Sequence, residues 1–501
     1  MTTPSIFREI SENGVYKYFA GGQYVNSTSG NLQSVIDPVT GQQFGQTQAL
    51  NRQEVDAVIA YAWEQFPCWR ETPVRDRAEV LHKAARIMER EADFIARILC
   101  DEIAKPLKSA KEEIIRTAEI FDFTAEDALR LAGETQFADV FANYKRDRIS
   151  LNYRVPLGVI LAIGPFNYPF NLTGTKIAPA LAAGNCCIVK PPSAGAITAL
   201  HFGAILREAG LPPGIIAIVT GKGSEIGDYL VGHKGVSMIA FTGSSATGRH
   251  IASKAGMIPL LLELGGKDAA LVLPDADLNR AADQIVSGAF AYSGQRCTAV
   301  KRVLVFEESA DQLVQYIKRG AEKLAVGKPR DNVTVSSLIT LQQCEYVQGL
   351  IDDALAKGAK LMCGNKREGN MMWPTVLDHV TTEMRVAWEE PFGPVLPILR
   401  VKSLEDAVAI ANKSEYGLQS SIFTSDINSA INIAMQLEVG TVQINSKTQR
   451  GPDHFPFLGT KSSGLGVQGT RYAIEAMTRV KSIVLNLSEK GKIEQECSLK
   501  L

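Results

Sequence analysis

Val155-Pro-Leu-Gly-Val-Ile-Leu-Ala-Ile163 is a short apolar run rich in β-branched residues, stopped by Gly164-Pro165, and it reads as a strand. Leu172 to Ala183 then has helical spacing, Cys186 to Val189 is strand-like, and Ala196 to Ala209 is helical and ends at Gly210. Ile215 to Val219 and Ser237 to Phe241 read as further strands. Strands alternating with helices give the βαβ rhythm of a parallel sheet covered by helices, an α/β fold. Outward from this stretch, residues 51–133 are helix-rich and could pack on that sheet. A second alternating region runs from about 268 to 476. There Leu278 to Tyr292, Ala310 to Ala325 and Thr340 to Ala356 read as helices and Ala299 to Phe306 as a strand. No Pro/Ser-rich linker separates the regions, so two docked α/β units with a cleft between them are expected. Asn143–Arg154 and Arg479–Asn486 are strand-prone and fit neither unit. They read either as edges that pair with a neighbouring subunit or as a surface hairpin and a frayed end.

The bulk numbers set limits. A chain of 501 residues exceeds one ordinary core. Lys+Arg 53 against Asp+Glu 54 gives no electrostatic reason to expect nucleic acid or an acidic membrane. No run approaches a membrane span, and the N-terminus lacks the apolar core of a signal peptide. The eight cysteines form no Cys-x-x-Cys, and the histidines show no metal spacing, so a reducing cytoplasm and no metal are expected. Adjacent Cys186 and Cys187 point to opposite faces of a strand and read as packing residues.

Several motifs carry chemistry. Phe241-Thr-Gly243-Ser244-Ser-Ala-Thr-Gly248 follows a strand and opens a helix, a place where a pyrophosphate can approach the backbone. Arg249-His250 exclude a Walker loop, and alone the segment reads equally as a Gly-rich turn. Cys297 ends Gly288-Ala-Phe-Ala-Tyr-Ser-Gly-Gln-Arg-Cys297. By itself it is a core thiol; after Arg296 it has a cation that can favour the thiolate. Glu263 stands between leucines in Leu262-Glu-Leu-Gly-Gly-Lys267, as a satisfied core carboxylate or as a base with a raised pKa. Asn167, in Gly164-Pro-Phe-Asn-Tyr-Pro169, shapes a turn or donates to an oxyanion. Thiol, carboxylate and amide together are the parts for oxidising an aldehyde through a thioester. Glu389-Glu390-Pro-Phe392-Gly-Pro394 is a capped, rigid loop, or a carboxylate for ribose hydroxyls with an aromatic ring beside a nicotinamide. Asp453-His-Phe-Pro-Phe457 reads as a pocket wall or as core.

In order and spacing, Pro165–Pro169, Lys190–Pro192, Phe241–Ser244, Leu262–Lys267, Gly294–Cys297 and Glu389–Pro394 resemble the motifs of the aldehyde dehydrogenase superfamily. The resemblance covers nearly the whole chain and implies a Rossmann-like coenzyme domain (1–138 and 159–265), an α/β catalytic domain (266–477) and a small β oligomerisation arm with tail (139–158 and 478–501). It implies Cys297 as nucleophile, Asn167 with the Cys297 N–H as the oxyanion hole, and Glu263 as the base for deacylation. It implies Lys190 at the adenosine ribose, Glu390 at the nicotinamide ribose and Phe392 beside it. Gly164, Phe166, Ser193, Gly223, Asp228, Gly243, Ser244 and Leu264 are expected in the same coenzyme groove.

Within the superfamily, Glu113–Glu119, Asn167-Tyr168, Gly294–Arg302 and Lys447-Thr-Gln-Arg450 are similar to the non-phosphorylating glyceraldehyde-3-phosphate dehydrogenase subfamily. That likeness implies a phosphate site from Arg116, Tyr168, Arg296 and Arg450, with Thr298 beside Cys297, because guanidinium forks suit phosphate. Read without it, Arg116 is a helix-surface partner of Glu112 and Arg450 a solvated loop residue. Ser193 stands where many NAD-dependent relatives carry an acid, so NADP is permitted and NAD is not excluded. The expected activity is oxidation of D-glyceraldehyde 3-phosphate to 3-phosphoglycerate by a cytoplasmic homotetramer. The alternatives are another aldehyde or semialdehyde dehydrogenase and a non-catalytic nucleotide-binding relative.

Overall fold

The computed structural model describes residues 3–331 and 333–487. The part of the expected arm and tail at 488–501 lies outside them. Two large sheets organise the chain. In the eight-stranded sheet the order is Gly464–Leu465, Leu260–Glu263, Met238–Thr242, Val159–Ile163, Cys186–Lys190, Ile216–Ile218, Tyr18–Ala20 and Gln23–Val25. The five strands from Leu260–Glu263 to Ile216–Ile218 are mutually parallel. Their spatial order makes the first of them in sequence, Val159–Ile163, central, with later strands added on both sides. This is a doubly wound sheet, and ligands bind beyond the carboxyl ends of the strands where the winding reverses. The reversal lies between Val159–Ile163 and Met238–Thr242. The segments leaving those strands carry Gly164–Asn167 and Gly243-Ser244.

The second sheet has seven strands, ordered Lys360–Cys363, Thr375–Asp378, Val395–Val401, Arg302–Phe306, Ala269–Val272, Gln419–Phe423 and Thr441–Ile444. All are parallel except Lys360–Cys363. Both faces are buried, as a parallel sheet requires. Ala269, Leu271 and Leu304 enter one apolar cluster, while Ala270, Val272, Val303 and Val305 enter the other. That is the period-2 alternation of strand side chains.

Helices Arg52–Glu71, Val74–Arg90, Ala92–Ile103 and Leu107–Leu129 occupy the helix-rich N-terminal stretch. The first starts at a capping box, Asn51 and Glu54 bonding each other's backbone N–H. No helix among the described residues is long and apolar enough to cross a membrane.

One sequence expectation changes. Val155–Ile163 is two strands: Arg148–Pro156 belongs to a three-stranded sheet, and Val159–Ile163 to the large one. The break is Gly158, at φ +134°, where a Cβ would lie 2.5 Å from Ser237 Oγ and from the Trp63 ring. Only glycine fits that turn. The three-stranded sheet pairs Thr478–Asn486 with Arg148–Pro156 and the latter with Glu134–Phe137, so it begins ahead of residue 139.

Candidate active site

Cys297 lies in a turn that only outside bonds can hold. Helix Leu278–Phe290 ends in Tyr292, Ser293 and Gly294, with φ of 52°, 57° and 71°. Left-handed backbone costs a non-glycine residue roughly 1–2 kcal/mol. Ser293 Oγ offsets it by donating to the Ser336 carbonyl at 2.7 Å and accepting the Ser336 N–H at 2.9 Å. At Gly294 a Cβ would stand 2.5 Å from the Gly393 carbonyl oxygen, so the glycine is obligatory.

The structure brings sulfur and amide to one cavity and sets the carboxylate close to the sulfur. Cys297 Sγ is 3.9 Å from Glu263 Oε1. Asn167, 2% exposed, donates from Nδ2 to the Gln295 carbonyl at 2.8 Å, two residues before the cysteine. Cys297 and Asn167 both line a cavity of about 420 Å³, and Gly164, Phe166, Gly243, Ser244, Leu264, Glu390 and Phe392 line it too. The Phe166 and Phe392 rings are 5.8 Å apart. Glu390 Oε1 accepts the Gly266 N–H at 3.0 Å and faces Lys301 Nζ at 3.1 Å. Ser244 caps helix Ser245–Lys254, whose N-terminus faces this cavity.

The remaining residues expected in the coenzyme groove lie outside that cavity. Lys190 ends its strand, buried, and donates to the Pro191 carbonyl at 2.9 Å; burial lowers its pKa to about 8. Ser193 and Gly223 are exposed. Exposed Asp228 Oδ1 is 2.7 Å from His250 Nε2, so its side chain is engaged with a histidine.

Two electrostatic expectations are overturned. Arg296 does not favour the thiolate: its guanidinium donates backward to the Ala291 and Gly288 carbonyls. Burial and the Glu263 charge push the thiol up to about 12, against the pull of Lys301. Nor is the Glu263 pKa raised. Burial pushes it up, but Arg450 and Lys176, helped by hydrogen bonds, outweigh burial and hold it below the usual range. Arg450 Nη1 is 2.6 Å from Glu263 Oε2.

The residues expected at a phosphate site are placed as follows. The Arg450 side chain is 8% exposed, not a solvated loop residue. Arg116 forks onto Asp453 and donates to the Arg450 carbonyl at 3.0 Å; its bonds do not run to Glu112. Tyr168 has Lys105 Nζ 3.3 Å above its ring. Buried Thr298 accepts from Thr448 Oγ1 at 3.0 Å through its carbonyl.

Sequence reading missed the buried lysines. Lys301 Nζ donates to the Cys297 carbonyl and pairs with Glu390. Lys176 donates to Thr242 Oγ1 at 2.6 Å, and Thr242 donates in turn to Glu263 Oε2 at 3.2 Å; burial brings the lysine's pKa down to about 7. Lys105 and Glu113 form a fully buried pair. Lys105 also donates to the Asn167 carbonyl at 2.9 Å, and Glu113 accepts the Phe170 and Asn171 N–H groups. A lysine inside an apolar helical run, as at Lys176, was the same signal that drew attention to Glu263. Among the described residues, no group of three or more His, Cys, Asp or Glu is arranged to hold a metal.

A nucleophile turn and a doubly wound sheet meeting at one cavity define a class of dehydrogenase. Residues 24–483 match the aldehyde dehydrogenase family, and the chain belongs to it. Among its relatives, the NADP-dependent glyceraldehyde-3-phosphate dehydrogenase of Streptococcus equinus is 52% identical, over 95% of this chain and 99% of its own length. The protein of the same name from Pisum sativum is 49% identical over 97% of this chain and 98% of its own. The crystal structure of NADP-dependent glyceraldehyde-3-phosphate dehydrogenase from Bacillus halodurans complexed with NADP superposes with a TM-score of 0.93. It is 52% identical and covers 94% of this chain and 99% of its own.

Proposed function

We propose that this chain oxidises D-glyceraldehyde 3-phosphate to 3-phosphoglycerate with NADP, through a thioester on Cys297 and without inorganic phosphate. The observation that carries the reading is the cavity joining Cys297, Asn167 and Glu390, with Glu263 3.9 Å behind the sulfur and two arginines beyond it. Relatives about half identical over nearly the full length bear the matching name.

The residues fit an NADP molecule. The N-terminus of helix Ser245–Lys254 supplies partial positive charge for a pyrophosphate. A Cβ on Gly265 would stand 2.3 Å from Glu390 Oε2, so this glycine makes the space in which Glu390 can hold ribose hydroxyls. Lys190 has two N–H donors beyond the one given to Pro191, and Ser193 puts no carboxylate against a 2′-phosphate. Bound NADP supplies the two-electron oxidant that converts the thiohemiacetal to the thioester.

The chain's residues do the rest. The Cys297 sulfur attacks the aldehyde carbon as a thiolate, its proton given up to solvent, with Glu263 kept as a carboxylate 3.9 Å away. Asn167 Nδ2 turns from the Gln295 carbonyl to the developing oxyanion and, with the Cys297 N–H, holds it. Each such donor is worth about 3 kcal/mol. Glu263 then takes a proton from the water that attacks the thioester. Arg116 and Arg450, with Tyr168 and Arg296, form the phosphate end. The described residues up to 133 and 159–265 form the coenzyme domain, 266–477 the catalytic domain, and 134–158 with 478–487 an arm for a cytoplasmic homotetramer. The exposed row Val480, Ile483, Val484 and Leu485 supports the arm assignment.

A steady-state assay in phosphate-free buffer tests the reading. NADPH formation from the triose phosphate, with 3-phosphoglycerate as product, is expected to exceed that from propanal or from a semialdehyde. A requirement for inorganic phosphate, or equal kcat/KM for propanal, would refute it.

A further inference from the structure

Two of the three guanidiniums assigned to the substrate phosphate, Arg116 and Arg450, already hold carboxylates. Arg450 Nη1 is 2.6 Å from Glu263, Nε is 3.2 Å from Asp453 Oδ1, and Nη2 is 2.8 Å from Gln468 Oε1. Arg116 completes the run by gripping both Asp453 oxygens, Nη2 to Oδ1 at 2.8 Å. The order Glu263, Arg450, Asp453, Arg116 alternates in sign and carries no net charge. The Asp453 side chain is 12% exposed, so this is a largely desolvated pairing. Open space lies on both sides of it. Cavities of about 300 and 330 Å³ share Gly451, Pro452 and Asp453 in their walls; Arg450 lines one and Arg116 the other. Gln468, 4% exposed, has its Nε2 without a partner, a spare donor at the same corner.

We propose that Asp453 is a specificity-determining positioning residue: a resident anion that holds Arg116 and Arg450 until a phosphate dianion displaces it, an exchange that also releases Glu263 from Arg450. The proposal rests on the phosphate-end assignment made above. A phosphate has twice the charge of a carboxylate and three acceptor oxygens, so it outcompetes Asp453 for two guanidinium forks. Once Arg450 turns to the dianion, its pull on Glu263 weakens. Burial then pushes the Glu263 pKa up toward the range of a working base, against the remaining pull of Lys176 and the Thr242 hydrogen bond. A neutral aldehyde cannot make the exchange, so it meets a base still tied to Arg450. Selectivity for phosphorylated aldehyde thereby enters deacylation as well as binding. By linkage, phosphate binding and proton affinity at Glu263 strengthen each other.

Splitting the substrate tests this. The probe is inorganic phosphite dianion, added at constant ionic strength to the NADP-saturated enzyme turning over glycolaldehyde. Saturating phosphite should raise kcat about tenfold, a coupling of ordinary size. In Asp453→Asn the rate without phosphite should rise, the phosphite gain should shrink, and KM for the triose phosphate should fall. Phosphite that leaves the parent rate unchanged or only inhibits it, while the triose phosphate is still oxidised, overturns the gate but not the proposed function. An Asp453→Asn enzyme with a higher KM and an undiminished phosphite gain makes Asp453 a mere brace and also overturns it. The parent phosphite experiment decides the matter even where the variant does not fold.

Discussion

At the coenzyme end of the cleft, shape comes from what is missing. A Cβ on Gly164 would stand 2.2 Å from Thr173 Oγ1, one on Gly248 2.5 Å from the Leu264 side chain, and one on Gly265 2.3 Å from Glu390. At the end proposed for the phosphate, shape comes from charge: Arg116, Glu263 and the loop pair Arg450 and Asp453, drawn from three distant parts of the chain, neutralise one another. The first end is a preformed space that added Cβ atoms would fill. The second is a set of ion pairs already made among the residues proposed for the phosphate.

The contrast can be broken experimentally. Cys297 stands between the two ends, and Cys297→Ser should lower turnover by about 10,000-fold or more for every aldehyde, with NADP binding retained on fluorescence titration. The ligand-free thiol, pushed up to about 12, should alkylate with iodoacetamide about tenfold faster per pH unit from roughly pH 7 to pH 10, as its thiolate fraction grows. A rate already flat in that range would show that burial does not govern the sulfur. Arg450→Ala should cut kcat/KM for the triose phosphate about 100-fold, the size of a lost charged hydrogen-bond pair. Propanal should change far less, and equal losses would remove Arg450 from the phosphate end. Gly265→Ala should raise KM for NADP about tenfold through displacement of Glu390, equally for both aldehydes. A change confined to the phosphorylated one would show that the two ends are not separate.

The same contrast decides what was legible in the sequence. Strands such as Cys186–Lys190 and Met238–Thr242, and the glycine turn after the latter, announce themselves by local periodicity and spacing. The split at Gly158 was hidden because a single glycine inside an apolar run looks like part of the strand. Cys297, Glu263 and Asn167 could be picked out as unusual residues in apolar surroundings, and the structure sets Cys297 and Asn167 on one cavity with Glu263 3.9 Å from the sulfur. Their acidities could not be read. Arg296 is next to Cys297 in sequence yet bonds backward to the helix end, whereas Arg450, far along the chain, fixes Glu263. Arg116 looked like a surface partner of Glu112 because its true partner, Asp453, lies more than three hundred residues away. Local neighbours predict backbone; the electrostatics of a buried site depends on residues the fold brings from elsewhere.

Rapid mixing of Glu263→Ala with triose phosphate and NADP, followed by acid quench and mass analysis of the Cys297 peptide, tests the convergence most directly. One equivalent of NADPH should form in a burst and then stall, with a phosphoglyceroyl adduct accumulating on Cys297. Steady turnover at the parent rate with no adduct would contradict the account.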